Sequence, residues 1–251
     1  DDVTFVSDGS FTVKSIMSDN KGNINLESKN GSIYAADSTG TYLNEHIYGG
    51  DIVLRAVNGE IGSPDNPLTF ANAGIFNVQA KDNIYLKSAH TMYVDLISSA
   101  KGSLNLNADF GIIASTITDT NRVYQLYAGG DMNLVSTYGN IENMLINLDG
   151  VLSASAGYKG TENVAGWGDV NVSLISEIAA ADETGAEKLT GTKDLKIGII
   201  QATNNVTINS EKGVKNAFDE SSVSGERIIV NAVGDVGEQN SAINMTANRE
   251  I

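Results

Sequence analysis

The chain of 251 residues has no cysteine, two prolines, one tryptophan, two histidines and only 16 Lys and Arg. Without Cys there is no disulfide framework, no thiolate nucleophile, no Cys zinc site and no iron–sulfur cluster. The shortage of basic side chains, set against 31 acidic ones, leaves a net charge of −15. That argues against nonspecific binding to nucleic acid or anionic membrane, because Lys and Arg carry those affinities. No apolar run approaches about 18 residues, so no membrane-spanning helix is expected. There is no initiator Met and no signal peptide, and the same kind of sequence is still running at Ile251, so the chain reads as a piece of something longer.

The residues that are abundant point to strands and corners. Ile and Val number 43 against 16 Leu, and branching at Cβ favours extended backbone over helix. Gly and Asn together fill 53 positions; both tolerate positive φ, so tight turns are frequent and do not depend on proline. The fold class is all-β.

One motif recurs: Gly, any, apolar, any, apolar, any, small, any, any, Gly. Near-strict copies start at Gly22, Gly50, Gly102, Gly130 and Asn204, degenerate ones at Asp82 and Gly168, and a frayed one at Asp1. Start-to-start spacings are 21, 28, 32, 20, 28, 38 and 36 residues. Positions three, five and seven are apolar or small and those between are mostly polar, the period of a strand with one buried face. The closing Gly turns the chain, usually into a second short apolar stretch such as Ser32-Ile33-Tyr34 or Gly111-Ile112-Ile113.

Short strands repeated at this spacing fit a coil that returns to its start. Stacked coils give a right-handed parallel β-helix of roughly eight to ten coils, with rungs ~4.8 Å apart. An antiparallel sandwich competes, but it does not require one motif to recur. The expected interior columns are Ile24, Ile52, Ile84, Leu104, Met132, Val170 and Val206, and beside them Leu26, Leu54, Leu86, Leu106, Leu134, Val172 and Ile208. Asn107, next to Leu106, is expected to point outward and to tolerate Asp with little change in stability. Residues 1–251 read as a single β-helix segment with a main loop excursion at 157–193 and a smaller one from Asp37 to Gly49. Glu177 to Leu189 holds the one plausible helical turn, weakened by Gly185.

The run Asn58-Gly59-Glu60-Ile61-Gly62-Ser63-Pro64-Asp65-Asn66-Pro67-Leu68 follows directly on Gly50-Asp51-Ile52-Val53-Leu54. Together they resemble the repeats of very large bacterial filamentous adhesins and exoproteins. These are the filamentous-haemagglutinin-like proteins of two-partner secretion, and the leukotoxin-type filamentous adhesins are closest in motif. The Gly-Asp-Ile-x-Leu element recurs through most of the chain; the Ile-Gly-Ser-x-x-Asn-Pro-Leu element occurs once. In such families the stalk is a right-handed parallel β-helix, exported unfolded and displayed outside the cell. The resemblance implies an internal stalk segment, secreted or at the bacterial cell surface, continuing into neighbouring coils of its parent. No secretion-signal domain is recognisable here, so which activity of such a parent resides in this segment stays open.

Candidate sites compete with plainer explanations. The outward column at position two holds Asn23, Asp51, Asn83, Ser103, Asp131, Asp169 and Asn205. Asp131 and Asp169 occupy the same position in successive copies, and stacking would bring them within ~5 Å, one rung. Paired carboxylates at that distance serve retaining glycoside hydrolysis. The plainer reading is a corner ladder of short polar side chains capping backbone groups, and it is preferred. Calcium-binding repeat patterns are absent. His46 and His90 each lack a second His or Cys at ligand spacing, and the Gly-rich stretch Gly157–Gly168 lacks a phosphate-binding fingerprint. No catalytic, cofactor or metal site is therefore expected. Outward aromatics are the candidate partner contacts: Tyr85, Tyr138, Tyr158 and Trp167. Sequons at Asn30, Asn171, Asn205 and Asn244 carry little weight in so Asn-rich a chain.

Three functions remain. The preferred one is a structural and adhesive rod segment without catalysis, contacting host cells or other bacteria through an unidentified host cell-surface glycan or protein. The stalk of a leukotoxin-like cytotoxin rests on the resemblance alone. A polysaccharide-acting enzyme needs acidic and basic groups converging in one groove, and basic ones are sparse.

Overall fold

A computed structural model describes residues 1–19, 22–37, 45–71, 74–116, 124–157, 170–174, 178–179, 188–189, 194–210, 212–238 and 241–247. Alternation of apolar and polar residues at period two makes each motif a strand, and the Gly corners send the chain back and forth between two long parallel sheets. The first stacks Val3–Ser7, Ile24–Ser28, Ile52–Ala56, Ile75–Ala80 and Met92–Ser99. It continues through Gly111–Ala114 with Leu126–Ala128, then Asn140–Leu148, Val170–Leu174, Asn205–Ser210 and Arg227–Ala232. The second stacks Ile16–Met17, Ile47–Tyr48, Leu68–Phe70, Ile84–Ser88, Leu104–Ala108, Met132–Ser136, Val151–Ala156, Leu195–Ala202, Ser222–Gly225 and Asn244–Ala247. The chain is all-β, a parallel β-helix.

The core lies between the sheets. In Leu104–Ala108, Leu104, Leu106 and Ala108 are buried while Asn105 and Asn107 are partly exposed. Like residues stack on like: Leu68, Leu86, Leu106 and Leu134 follow one another in register on successive strands. Phe70 and Phe76, one from each sheet and both fully buried, meet edge to face at 5.1 Å. Position seven is small because it points inward where the chain must turn. The buried Ser88 and Ser136 there accept from His90 N and Gly139 N at 3.1 and 3.2 Å, and buried Ser99, at the end of Met92–Ser99, likewise accepts from Gly102 N at 2.9 Å.

The motif copies do not form one column. Copies starting at Asp1, Gly22 and Gly50 lie in the first sheet, those at Asp82, Gly102 and Gly130 in the second, and those leading to Val170 and Val206 in the first again. Ile24 therefore pairs with Ile52 and Ile52 with Phe76, whereas Ile84, Leu104 and Met132 form a column in the other sheet. Between the copies at Gly50 and Asp82 the strand Ile75–Ala80 takes the place in the first sheet, so the next copy lands opposite. Both sheets need an alternating strand closed by a corner, and the motif specifies no more than that.

A second correction concerns 177–189. Its described residues are extended: Ile178–Ala179 pairs antiparallel with Lys188–Leu189, Ile178 opposite Leu189. Ile178 is β-branched, which favours the extended form there; the rest of the expected helical turn, 180–187, lies outside the described residues.

Candidate functional site

Short polar side chains at position two are used to hold corners. Asp2 Oδ1 accepts from Asn23 N at 2.8 Å, Asn23 Oδ1 from Asp51 N at 3.1 Å, and Asp51 Oδ1 from Ile75 N at 2.9 Å. At the second sheet, Asn83 Oδ1 accepts from Ser103 N at 2.9 Å, Ser103 Oγ from Asp131 N at 3.0 Å, and Asp131 Oδ1 from Val151 N at 2.9 Å. Each bond ties one coil to the next, over 20 to 28 residues of chain, and is worth on the order of 1 kcal/mol.

This arrangement decides the carboxylate pair. Asp131 opens a strand of the second sheet, while the strand beginning at Val170 belongs to the first. The strands that follow the two residues are therefore not register partners, and Asp169 itself lies outside the described residues. Among the described residues, no group of three or more His, Asp or Glu is placed to hold a metal ion. His46 is buried and satisfied: its Nε2 lies 2.7 Å from Ala36 O, and Nδ1 lies 3.2 Å from Thr69 N and 2.7 Å from Thr69 Oγ1. Those partners assign a neutral ring protonated at Nε2, donating to the carbonyl and accepting at Nδ1.

Two other surfaces carry more chemistry. Lys215 Nζ bridges Asp194 Oδ2 at 2.9 Å and Glu238 Oε1 at 3.2 Å, beside a cavity of about 380 Å³ that Asp149, Lys196 and Leu148 also line. The hydrogen bond from Lys215 holds the Asp194 carboxyl below the usual carboxylate range, and the two carboxylates hold Lys215 above the usual lysine range. Its principal charges thus engage one another.

The second surface spans Ile84–Ser88, Leu104–Ala108 and Met132–Ser136. Outward residues run across these strands in register: Tyr85, Asn105 and Asn133, then Lys87, Asn107 and Val135. The Gly62–Pro67 turn lies along one side and closes a groove of about 250 Å³ lined by Pro64, Pro67 and these six residues. Gly62 is required there: its φ is +69°, and a Cβ would stand 2.5 Å from Tyr85 O. Ser63 N donates to Asn66 O at 3.1 Å and Asn66 Nδ2 to Ala35 O at 2.8 Å, which fixes the turn. Half-buried Tyr85 keeps its phenolic proton above the usual tyrosine range, through burial first and the Glu60 charge second. At the far end of the same strands stand His90, Phe110 and Tyr138. Phe110 is 56% exposed, with ring centroids 6.5 Å from His90 and 5.8 Å from Tyr138.

Of the four expected contact residues, Tyr85 lies in the groove and Tyr138 in the ring stack. Tyr158 and Trp167 lie outside the described residues. Phe110, His90 and the Asn105, Asn107 and Asn133 amides were not among the expected contacts. Aligning the copies at Asp82, Gly102 and Gly130 would have exposed them, because His90, Phe110 and Tyr138 all occupy position nine, and Tyr85, Asn105 and Asn133 position four.

The fold and site define a parallel β-solenoid in which the corner carboxylates Asp2, Asp51 and Asp131 accept backbone N–H bonds from the next coil and whose distinctive surface is an aromatic and amide face. Compared with family models, curated proteins and solved structures, the chain matches none.

Proposed function

We propose that the chain is a structural and adhesive stalk segment of a secreted or surface-displayed bacterial filamentous adhesin, which spaces and contacts rather than catalyses. The observation that carries this reading is the face above: three successive rungs present rings in contact at position nine and, at positions four and six, Tyr85 and three asparagine amides beside Lys87 and Val135. Rings and amides give contact area and hydrogen bonding with little ionic chemistry. Retaining hydrolysis needs two nearby carboxyl groups in opposite protonation states. Asp131 instead accepts from Val151 N, and the strand that follows Asp169 lies in the other sheet. The resemblance of the Gly-Asp-Ile-x-Leu and Ile-Gly-Ser-x-x-Asn-Pro-Leu elements to filamentous-haemagglutinin-like repeats supports an extracellular setting.

Saturable binding of the labelled chain to mammalian cells or to bacteria tests the proposal. Phe110→Ala with Tyr138→Ala should weaken it about tenfold, while Asp131→Asn should leave it within about twofold, because an amide oxygen still accepts from Val151 N. Polysaccharide cleavage by the wild type that disappears in Asp131→Asn would replace this reading with an enzyme.

A further inference from the structure

We infer that the groove between the Gly62–Pro67 turn and the three strands is a saccharide subsite for an uncharged oligosaccharide, with one sugar ring on Tyr85 and its hydroxyls on Asn105, Asn107 and Asn133; this names a ligand for the adhesive reading and rests on it. The lining has one aromatic ring, three primary amides, one lysine, two prolines and no carboxylate, in a chain whose net charge is −15. A primary amide donates and accepts in one plane, whereas a carboxylate only accepts and an ammonium only donates. Vicinal sugar hydroxyls, each both donor and acceptor, complement amides, and the C–H face of a sugar complements a ring.

Asn107 supplies an independent observation. Its Oδ1 is buried without any hydrogen-bond partner among the described residues, a state that costs roughly 1–3 kcal/mol. The amide lines the groove, so a small rotation about its side chain offers that oxygen to a ligand hydroxyl. Asn105 stands two residues before Asn107 on the same strand, and Asn133 is the register partner of Asn105 on the next rung, one rung being ~4.8 Å. That repeat is comparable to the advance per sugar of an extended glycan. The site is also preformed. Two prolines, the Ser63–Asn66 clamp and the Asn66 bond to Ala35 O hold its wall, which reduces the ordering cost of binding.

Charge selects the uncharged class. Lys87 is the one charged side chain in the lining, so the groove has no cluster of cations to cradle a uronate or sialate. Lys87 then serves as one more donor.

Titration calorimetry of the folded chain against linear neutral gluco-, galacto- and N-acetylhexosamine oligosaccharides, with uronate and sialylated counterparts, tests the assignment. Expected is binding by a neutral series with little dependence on salt, weakened about tenfold or more by Tyr85→Ala. Asn107→Leu should weaken affinity while leaving stability unchanged or raised, a combination that a merely structural asparagine does not give. Lys87→Met removes one donor and should weaken neutral binding by about threefold without abolishing it. Binding only by acidic saccharides, abolished by salt and by Lys87→Met, overturns the inference. So does neutral binding that survives Tyr85→Ala, or no saccharide binding at all. Cell adhesion that persists in Tyr85→Ala without saccharide binding would sink the groove and leave the adhesive reading. Saccharide binding through Tyr85 without adhesion to any cell would do the reverse.

Discussion

Leu106 and Asn107 are neighbours on one strand and meet opposite surroundings. Leu106 is 1% exposed, stacked between Leu86 and Leu134; full burial of a leucine contributes about 1.5–3 kcal/mol. Leu106→Asp places an unpaired carboxylate in that stack and should cost about 4 kcal/mol or more. Asn133, outward and exposed on the next strand, should accept Asp with a change of about 0.5 kcal/mol or less. Asn107 departs from the simple outward expectation. It faces out, yet its Oδ1 is covered and has no donor among the described residues, so Asn107→Asp sets a charged oxygen there and should cost about 1–3 kcal/mol. Urea denaturation of the three variants gives the ranking; equal losses would mean that alternation does not govern burial.

Strands and corners make different demands. A strand here needs only two or three inward apolar residues, and the sheets tolerate Ile, Leu, Val, Met or Phe in those places because stacking supplies the neighbours. Corners are stricter: a small inward residue at position seven, and a short side chain at position two that reaches the next coil's amide. The Gly62–Pro67 turn is stricter again, because Gly62 combines left-handed backbone with close approach to Tyr85 O. Gly62→Ala should cost roughly 1–2 kcal/mol from the backbone alone, and it should weaken saccharide binding by displacing the wall. Thermal melts beside calorimetric affinity check it; full stability and full affinity would show that the turn does not set the groove.

Across the whole molecule, stability is added rung by rung, and one ionic staple crosses three rungs through Asp194, Lys215 and Glu238. The folded Asp194 titrates below its unfolded range, so its contribution is present above that range and disappears as pH falls through the lowered value. Lys215 is raised, so its contribution is complete below its unfolded range and disappears as pH rises through the raised value. The staple is therefore intact between those limits, broken in acid by Asp194 and in alkali by Lys215. Urea midpoints measured from neutral pH down through the carboxylate range should fall less steeply for Asp194→Asn than for the wild type. Parallel curves would remove the staple from the account.

The amino-acid sequence by itself determined the all-β class, the in–out order within the inner motif strands and the capping role of position two, whereas the end strand Val3–Ser7 leaves Phe5 exposed. Alternation of Ile24, Leu26 and Ser28 with Asn23, Asn25 and Glu27 is enough, because one buried face permits only one period. The sheet that receives each copy was not legible, since Ile52 and Ile84 sit in identical local patterns. Their sheets differ through the intervening Ile75–Ala80, whose place depends on how many corners the chain turns. For the same reason Asp131 and Asp169 looked like neighbours along the chain, while the strands they precede lie on different sheets. The stack of His90, Phe110 and Tyr138 was present at position nine, but only three-dimensional register turns a shared position into contact. The groove needed more: Pro64 and Pro67 are far in sequence from Asn107 and Asn133, and only the coil brings the turn against those strands. Local periodicity is a property of neighbouring residues, whereas a site made across rungs exists only after the coils have closed.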